Sequence, residues 1–241
     1  SRGLGDVYKR QVIARQRQSL GELILAEKQV PLQADDPVID ILLDQVKRQG
    51  LSLFGEQSKL DSLRARVQTI RKLDVPGDWP DVSESGLMDK LEEWLLPWLD
   101  KVDSLKQVRQ VDLYSAFQSW LGWEKQQQLN ELLPEVFATP AGTHRKIEYD
   151  LNEPPVLRVP LQEMLGVSES PAVAGGRLNL VIHLLSPAGR PLQVTRDLVT
   201  FWQGAYSEVK KEMRGRYPKH YWPDDPAQAE ATRFTKRHLK K

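Results

Sequence analysis

A short segment near the end of the chain combines cationic and aromatic side chains, the types that contact nucleic acid in many proteins. Residues 214–226 read RGRYPKHYWPDDP, and three prolines hold this backbone extended. Its cations or potential cations and its aromatic residues are Arg214, Arg216, Lys219, His220, Tyr217, Tyr221 and Trp222. Because cations contact phosphate and aromatic rings stack on bases, the composition suits single-stranded RNA. Composition alone gives equal weight to a rigid arm that packs over the body of the protein with its charges in solvent.

Positive charge is concentrated at the same end of the chain. The whole sequence has 34 basic and 33 acidic residues, a formal charge of +1. Residues 210–241 hold ten basic and four acidic residues, so this stretch carries +6 and the rest of the chain carries −5. A local surplus of positive charge attracts polyanions even where the average charge of the chain does not. We therefore predict an RNA-binding set made of Arg214, Arg216, Tyr217, Lys219, His220 and Trp222.

The sequence gives little sign of catalysis or metal binding. The four histidines are His144, His183, His220 and His238. None belongs to an HExxH or HxxxH pattern that would place two ring nitrogens on one metal ion. His183 lies in an apolar stretch and is interpreted as a core residue. His220 with Asp224 and Asp225 offers acid, base or metal-binding groups, but the flanking prolines exclude the regular helix that would align them. We predict no catalytic or metal-binding residue.

Nucleotide-binding motifs are missing from the sequence. No GxxxxGK[ST] loop is present, so there is no backbone cradle for triphosphate oxygens. Gly175 and Gly176 precede a predicted strand, which favours a turn between Pro171 and Leu178 over a nucleotide fingerprint. We therefore predict no cofactor-binding residue. The lack of cysteine excludes disulfides and thiolate metal sites and fits a reducing compartment.

Seven tryptophans are distributed over the chain. Five lie at helical spacing with leucines, which predicts that they belong to the core: Trp94, Trp98, Trp120, Trp123 and Trp202. Trp79 falls in a predicted loop and Trp222 in the basic segment. Both are interpreted mainly as covers over a core edge, with base stacking as the alternative.

The elements that would carry these residues differ between the two halves of the chain. Residues 35–137 show apolar positions at helical spacing, beginning with a cap and proline at Asp36 and Pro37, and predict a helical domain. Its second helix places Arg64 and Arg66 on a polar face. Residues 138–225 predict an α+β domain with a buried strand around His183, followed by one long helix that Thr195 caps. Residues 226–241 predict a basic flexible tail.

Neither a membrane-spanning segment nor an export signal is predicted from the sequence. Residues 1–10 resemble a translated library adaptor and are interpreted as a non-native leader, and residues 11–34 predict short strands that end an upstream domain. No apolar run approaches the roughly 20 residues of a membrane-spanning helix. We expect a cytoplasmic protein with an α+β fold.

Two motifs together carry a family resemblance. The strings LLSPAGRPLQVTRDL and RGRYPKHYWPDDP closely resemble the C-terminal end of the HrpB family of DEAH-box ATP-dependent RNA helicases. The stretches LGELILAEKQVPL, RVQTIRKLD, DWPD and PPVLRVPLQEMLG are similar to that family too, so the resemblance covers nearly everything after residue 11. This chain differs from the family in the part that it covers, because the motor domains with their phosphate-binding and DEAH motifs would lie upstream.

The resemblance implies a parent enzyme that hydrolyses ATP and remodels RNA. ATP and Mg²⁺ would be bound by the motor domains, so the family's ATPase residues map onto no residue of this chain, which is predicted to be inactive alone. Its expected partners are single-stranded RNA and the motor domains of the same parent protein. No membrane is expected among its partners. The alternative function is a non-catalytic module that docks on the motor or on another protein.

Overall fold

The computed structural model describes residues 7–9, 11–16 and 37–236. Strands β1 (Val7–Lys9) and β2 (Gln11–Gln16) pair antiparallel, so β1 lies within the stretch interpreted as a leader. The further strand predicted around residues 20–32 lies outside the described residues. From residue 37 onward the chain continues through helices and a mixed sheet, which confirms the α+β class.

The structure falls into two compact units. The helical unit comprises the chain up to Arg71 together with residues 75–126, and the C-terminal unit comprises residues 72–74 and everything from residue 127. Among the described residues, no helix combines the length and the apolar character that crossing a membrane requires.

Helix α1 (Pro37–Gln49) begins at the predicted proline and buries Ile39, Leu42, Leu43 and Val46. A 3₁₀ turn (Gly50–Phe54) follows it, and α2 (Ser58–Lys72) comes next as the second helix of the domain. The prediction for Arg64 and Arg66 was wrong, because both side chains are buried. Arg64 Nε donates to the carbonyl oxygen of Val82 at 2.8 Å, a partner that helical spacing does not show.

Between residues 84 and 108 the helical domain consists of short pieces. Helix α3 (Glu84–Asp89) begins after Ser83, whose Oγ accepts from the Gly86 N–H at 3.1 Å. Lys90 leaves the helical conformation, with φ −117° and ψ 21°, so α4 (Leu91–Trp94) is separate. A 3₁₀ turn (Leu96–Trp98) and α5 (Leu105–Val108) complete the stretch.

The last two helices of this half flank Gly122. Helix α6 (Leu113–Leu121) is capped by Asp112, whose carboxylate accepts from the Ser115 N–H at 3.1 Å. Gly122 ends α6 with φ +89°, a conformation that favours glycine, and α7 (Trp123–Leu132) starts directly after it.

Two of the five tryptophans predicted in the core are exposed. Trp94 and Trp202 are buried, whereas Trp98 is 38% exposed and Trp123 is 73% exposed. Trp98 lies in the 3₁₀ turn after Pro97, and Trp123 follows the break at Gly122. Trp98 therefore falls outside the helix that precedes it, whereas Trp123 is the first residue of α7 and its side chain faces solvent.

The C-terminal unit is built on a five-stranded sheet. Its strands, in spatial order, are β3 (Val136–Ala138), β4 (His144–Glu148), β5 (Val156–Pro160), β8 (Val181–Leu185) and β9 (Pro191–Thr195). Strands β5 and β8 are parallel, and the other neighbours are antiparallel. The crossover from β5 to β8 contains a 3₁₀ turn (Leu161–Met164) and the small hairpin of β6 (Ala172–Val173) and β7 (Leu178–Asn179). The predicted glycine turn is confirmed, because Gly175 and Gly176 connect β6 to β7 with positive φ.

Only one face of this sheet is buried. Along β8, Ile182 and Leu184 are buried, and His183 between them is half-exposed on the other face. The prediction of a fully buried strand with His183 in the core was therefore wrong. A run of apolar residues does not show that its alternate members face an open side of the sheet.

The predicted long helix at the C-terminal end is two helices. Thr195 ends β9, a strand that the sequence analysis missed, so Thr195 is not the cap. Asp197 caps α8 (Leu198–Gln203) by accepting from the Thr200 N–H at 3.1 Å. Gly204 interrupts the helical path, and α9 (Tyr206–Arg216) follows.

Candidate nucleic-acid interface

Residues 217–236, which we call the strap, fold back over the C-terminal unit. The Gly166 N–H donates to the Pro226 carbonyl at 2.8 Å. Gln162 forms two hydrogen bonds with the strap. Its side-chain Nε2 donates to the Tyr221 carbonyl at 3.2 Å, and its main-chain carbonyl accepts from the Thr232 N–H at 2.9 Å. Main-chain partners distant in sequence therefore hold part of residues 226–236, a stretch that the sequence analysis assigned to a flexible tail. Residues 237–241 lie outside the described part.

Trp222 anchors the strap in the core. Its side chain is 5% exposed, and its Nε1 donates to the Tyr217 carbonyl at 3.0 Å. Nearby, the Tyr206 hydroxyl donates to the Pro223 carbonyl at 2.6 Å, and burial raises the pKa of Tyr206 far above its ordinary value. The interpretation of Trp222 and Trp79 as core covers is confirmed, because Trp79 is also buried. Trp222 therefore offers no ring face to a base.

His220 is held against the protein by the same fold. Its ring meets that of Tyr217 edge-on, with centroids 6.0 Å apart. Its Nδ1 is buried without a hydrogen-bond partner among the described residues, and burial lowers the pKa of the imidazole. Asp224, considered in the sequence as a possible partner of His220, forms an ion pair with Lys210 at 2.6 Å instead. Within the described residues, no cluster of histidine and carboxylate side chains has the geometry of a metal site.

Three exposed cations lie where α9 passes into the strap, and we call Arg214, Arg216 and Lys219 the basic turn. All three side chains are exposed. In the part of the chain that the structure describes, none of them forms an ion pair with a carboxylate. Arg214 and Arg216 occupy the last turn of α9, where positive charge also favours the helix dipole. Lys210 above all, and Arg214 more weakly, lower the pKa of Asp224, so part of the Arg214 charge is offset. The basic turn therefore presents exposed positive charge on a fixed backbone.

The open sheet face carries a second polar group that sequence analysis did not assemble. Arg158 Nε lies 3.2 Å from a Glu148 carboxylate oxygen, and its Nη1 lies 2.9 Å from His183 Nδ1. A guanidinium only donates, so Nδ1 accepts and the His183 ring is neutral. Burial and then the Arg158 charge lower the pKa of His183, against a smaller opposite effect of Glu148.

The two lowered histidine pKa values predict a loss of stability in mild acid. Unfolded histidines titrate near about pH 6.5, so below that pH the unfolded chain binds protons that folded His183 and His220 resist. Their contribution is present above that pH and is lost as the pH falls. We expect the melting temperature to be lower at pH 5.5 than at pH 7.5, by calorimetry. The double variant His183→Gln, His220→Gln should show a smaller drop, and an equal drop would refute this assignment.

The helical unit contains an acidic pocket of about 390 Å³. Four carboxylates (Asp78, Asp81, Asp89 and Glu93) and two lysines line it, and the half-buried Trp120 donates to Glu93 at 3.3 Å. Sequence analysis missed it because its residues come from separate helices and loops. A surplus of carboxylates repels phosphate, so this pocket does not suit RNA.

The buried Glu163, next to the strap anchor Gln162, forms an ion pair with the half-buried Arg145. Arg145 Nε donates to one carboxylate oxygen at 2.9 Å and Arg145 Nη2 contacts the other at 2.5 Å. The arrangement is the bidentate pair typical of arginine and carboxylate, and the Glu163 hydrogen bond raises the pKa of Arg145. Because both charges are satisfied by each other, we assign this pair to the architecture of the unit and not to ligand binding.

Comparisons with known proteins agree on one family. The sequence model for the C-terminal part of HrpB-type ATP-dependent helicases matches residues 94–226. A curated protein of Escherichia coli strain K12, named ATP-dependent RNA helicase HrpB, is 42% identical over 225 residues, which is 93% of this chain and 28% of the relative.

Two crystal structures give the same result. The E. coli DExH-box NTPase HrpB matches with a TM-score of 0.78 and 44% identity, over 85% of this chain and 25% of that one. A structure of the E. coli DEAH/RHA helicase HrpB matches with a TM-score of 0.67 and 41% identity, over 79% and 24%. The chain thus spans about a quarter of the length of these relatives. It belongs to the HrpB family of ATP-dependent helicases and matches the C-terminal region of that family.

Proposed function

We propose that this chain is an accessory region of an ATP-dependent RNA helicase and that its basic turn holds RNA. The observation that carries the proposal is the exposure of Arg214, Arg216 and Lys219 without ion-pair partners among the described residues. In a purely structural role, arginine and lysine side chains pair with carboxylates of the same protein. The side chains of the basic turn are instead accessible to an external anion. The name of the E. coli relative, an RNA helicase, identifies RNA as the anion to test first.

The packing of the strap supports this role. A phosphate-binding cation on a mobile tail must lose chain entropy when it binds, whereas the hydrogen bonds at Gln162 and Gly166 order the strap backbone beforehand. Trp222 contributes by anchoring the strap and not by touching RNA. The RNA-binding set predicted from sequence is therefore reduced to its three exposed cations.

We further propose that ATP turnover belongs to another part of the parent protein. ATP and Mg²⁺ would bind the motor domains, and RNA held by this region would be remodelled by them. The motor domains are then the second partner. On this proposal, an ATPase assay of the 241-residue chain should give no turnover above background.

The alternative is a docking module for the motor domains or another protein. Trp123, with most of its surface exposed, and the partly exposed Trp98 are the observation in its favour, since exposed tryptophans are enriched at protein interfaces. If docking were the whole function, the helical unit would matter for association and the basic turn would not affect RNA.

The test is RNA binding by the full 241-residue chain in which Arg214, Arg216 and Lys219 are all changed to alanine. We expect affinity for a single-stranded 12-nucleotide RNA at low salt to fall at least about tenfold, because three phosphate contacts are lost. Fluorescence anisotropy measures the affinity.

The matched control removes three exposed cations of the helical unit: Lys59, Lys106 and Arg109. Its net charge is identical to that of the basic-turn variant, so nonspecific attraction falls equally in both. We expect the control to bind within about twofold of the unmodified chain. Equal losses in both variants, or no loss in either, would contradict RNA binding at the basic turn.

A further inference from the structure

We infer that the basic turn binds the phosphate backbone alone and reads neither base nor sugar. This inference depends on the proposed RNA contact and specifies its ligand: a polyanionic chain of phosphodiesters of any sequence. It differs from the single-stranded RNA with stacked bases that the composition of residues 214–226 suggests.

The aromatic rings of the strap are engaged within the protein. Trp222 is buried with its Nε1 bonded to the main chain. Tyr217 is half-buried and meets the His220 ring edge-on, and Tyr221 is also half-buried. Stacking requires an open ring face for a base, which these contacts restrict.

Phe234 is the large exposed aromatic residue of the strap, with 47% of its surface accessible. The Arg233 guanidinium lies over this ring, with its central carbon 4.9 Å from the ring centroid. A cation in this position covers one face of the ring and is stabilised there by the ring electrons. Phe234 therefore does not replace Trp222 as a stacking platform.

The polar groups of the basic turn match phosphate oxygens. Arginine and lysine only donate hydrogen bonds, and phosphate oxygens only accept them. Residues 214–219 read RGRYPK and contain no Asn or Gln, the side chains that pair bidentately with adenine, and the half-buried Tyr217 packs against His220. The buried Nδ1 of His220 is likewise withdrawn from a ligand.

The test compares three oligonucleotides of equal length on the full chain: an RNA, a DNA of the same sequence and an abasic DNA. We expect affinities within about threefold of one another, because all three carry the same phosphates. One stacked base would separate the abasic strand from the others by between about fivefold and 150-fold. The basic-turn variant should weaken all three by the same factor.

The two proposals fail in different ways. If the abasic strand binds tenfold more weakly than the RNA while the basic-turn variant still weakens RNA binding, the inference is overturned and the proposed RNA contact stands. If no strand binds, or the variant changes nothing, the proposed function is overturned and the inference with it. Unchanged circular dichroism of the variant excludes misfolding as the cause of its loss.

Discussion

Changing Trp222 to alanine is expected to lower the free energy of unfolding of the C-terminal unit by about 4 kcal/mol. The buried indole would leave a cavity, and the Tyr217 carbonyl would lose the Nε1–H donor at 3.0 Å. Denaturant unfolding followed by far-UV circular dichroism measures the loss. The milder Trp222→Phe change keeps a ring in the core and loses the donor, so about 1 kcal/mol is expected.

The matched control for this prediction is Trp123→Ala. Trp123 is largely exposed, so its removal should cost less than about 0.5 kcal/mol. If Trp222→Ala instead left stability unchanged and abolished RNA binding, Trp222 would be a stacking residue and the burial argument would be refuted.

Changing Gly166 to alanine should detach the strap and cost about 3 kcal/mol. Gly166 has φ +83°, and an added Cβ would lie 2.6 Å from the Ala229 main-chain oxygen. The side chain would therefore meet backbone that cannot rotate away, next to the hydrogen bond from the Gly166 N–H to Pro226. We expect lower stability and faster trypsin cleavage after Lys219 and Arg233.

Gly142→Ala distinguishes the cost of the left-handed backbone conformation from the cost of the steric contact with the strap. Gly142 has nearly the same φ, +86°, but an added Cβ meets no atom within 4 Å among the described residues. It should cost only the backbone term, about 1 kcal/mol, and leave cleavage of the strap unchanged. Equal effects of the two substitutions would show that contact between Gly166 and the strap does not matter.

The start of α1 was predicted from sequence because its signal is local. Pro37 begins α1, as its place after Asp36 predicts. The Ser83 cap of α3 and Gly122 at the end of α6 likewise act through neighbours a few positions away. Strand β9 and the break at Gly204 were missed, because pairing with β8 and packing of the aromatic residues around Tyr206 decide them.

The candidate site was predicted in part. Charge composition identified Arg214, Arg216 and Lys219, because exposed cations need no knowledge of the fold. The strap was not predicted, since its hydrogen-bond partners in the 3₁₀ turn (Leu161–Met164) and at Gly166 are distant in sequence. His183 was assigned to the core because an apolar strand does not reveal which of its faces is covered.

The most direct test of an RNA-holding basic turn is the slope of the logarithm of RNA affinity against the logarithm of salt concentration. Each phosphate contact with a single strand contributes a slope of about −0.7. The unmodified chain and the Lys59, Lys106, Arg109 control should therefore have slopes steeper by about 2 than the basic-turn variant. Identical slopes for all three proteins would show that Arg214, Arg216 and Lys219 contact no phosphate and would contradict the proposed function.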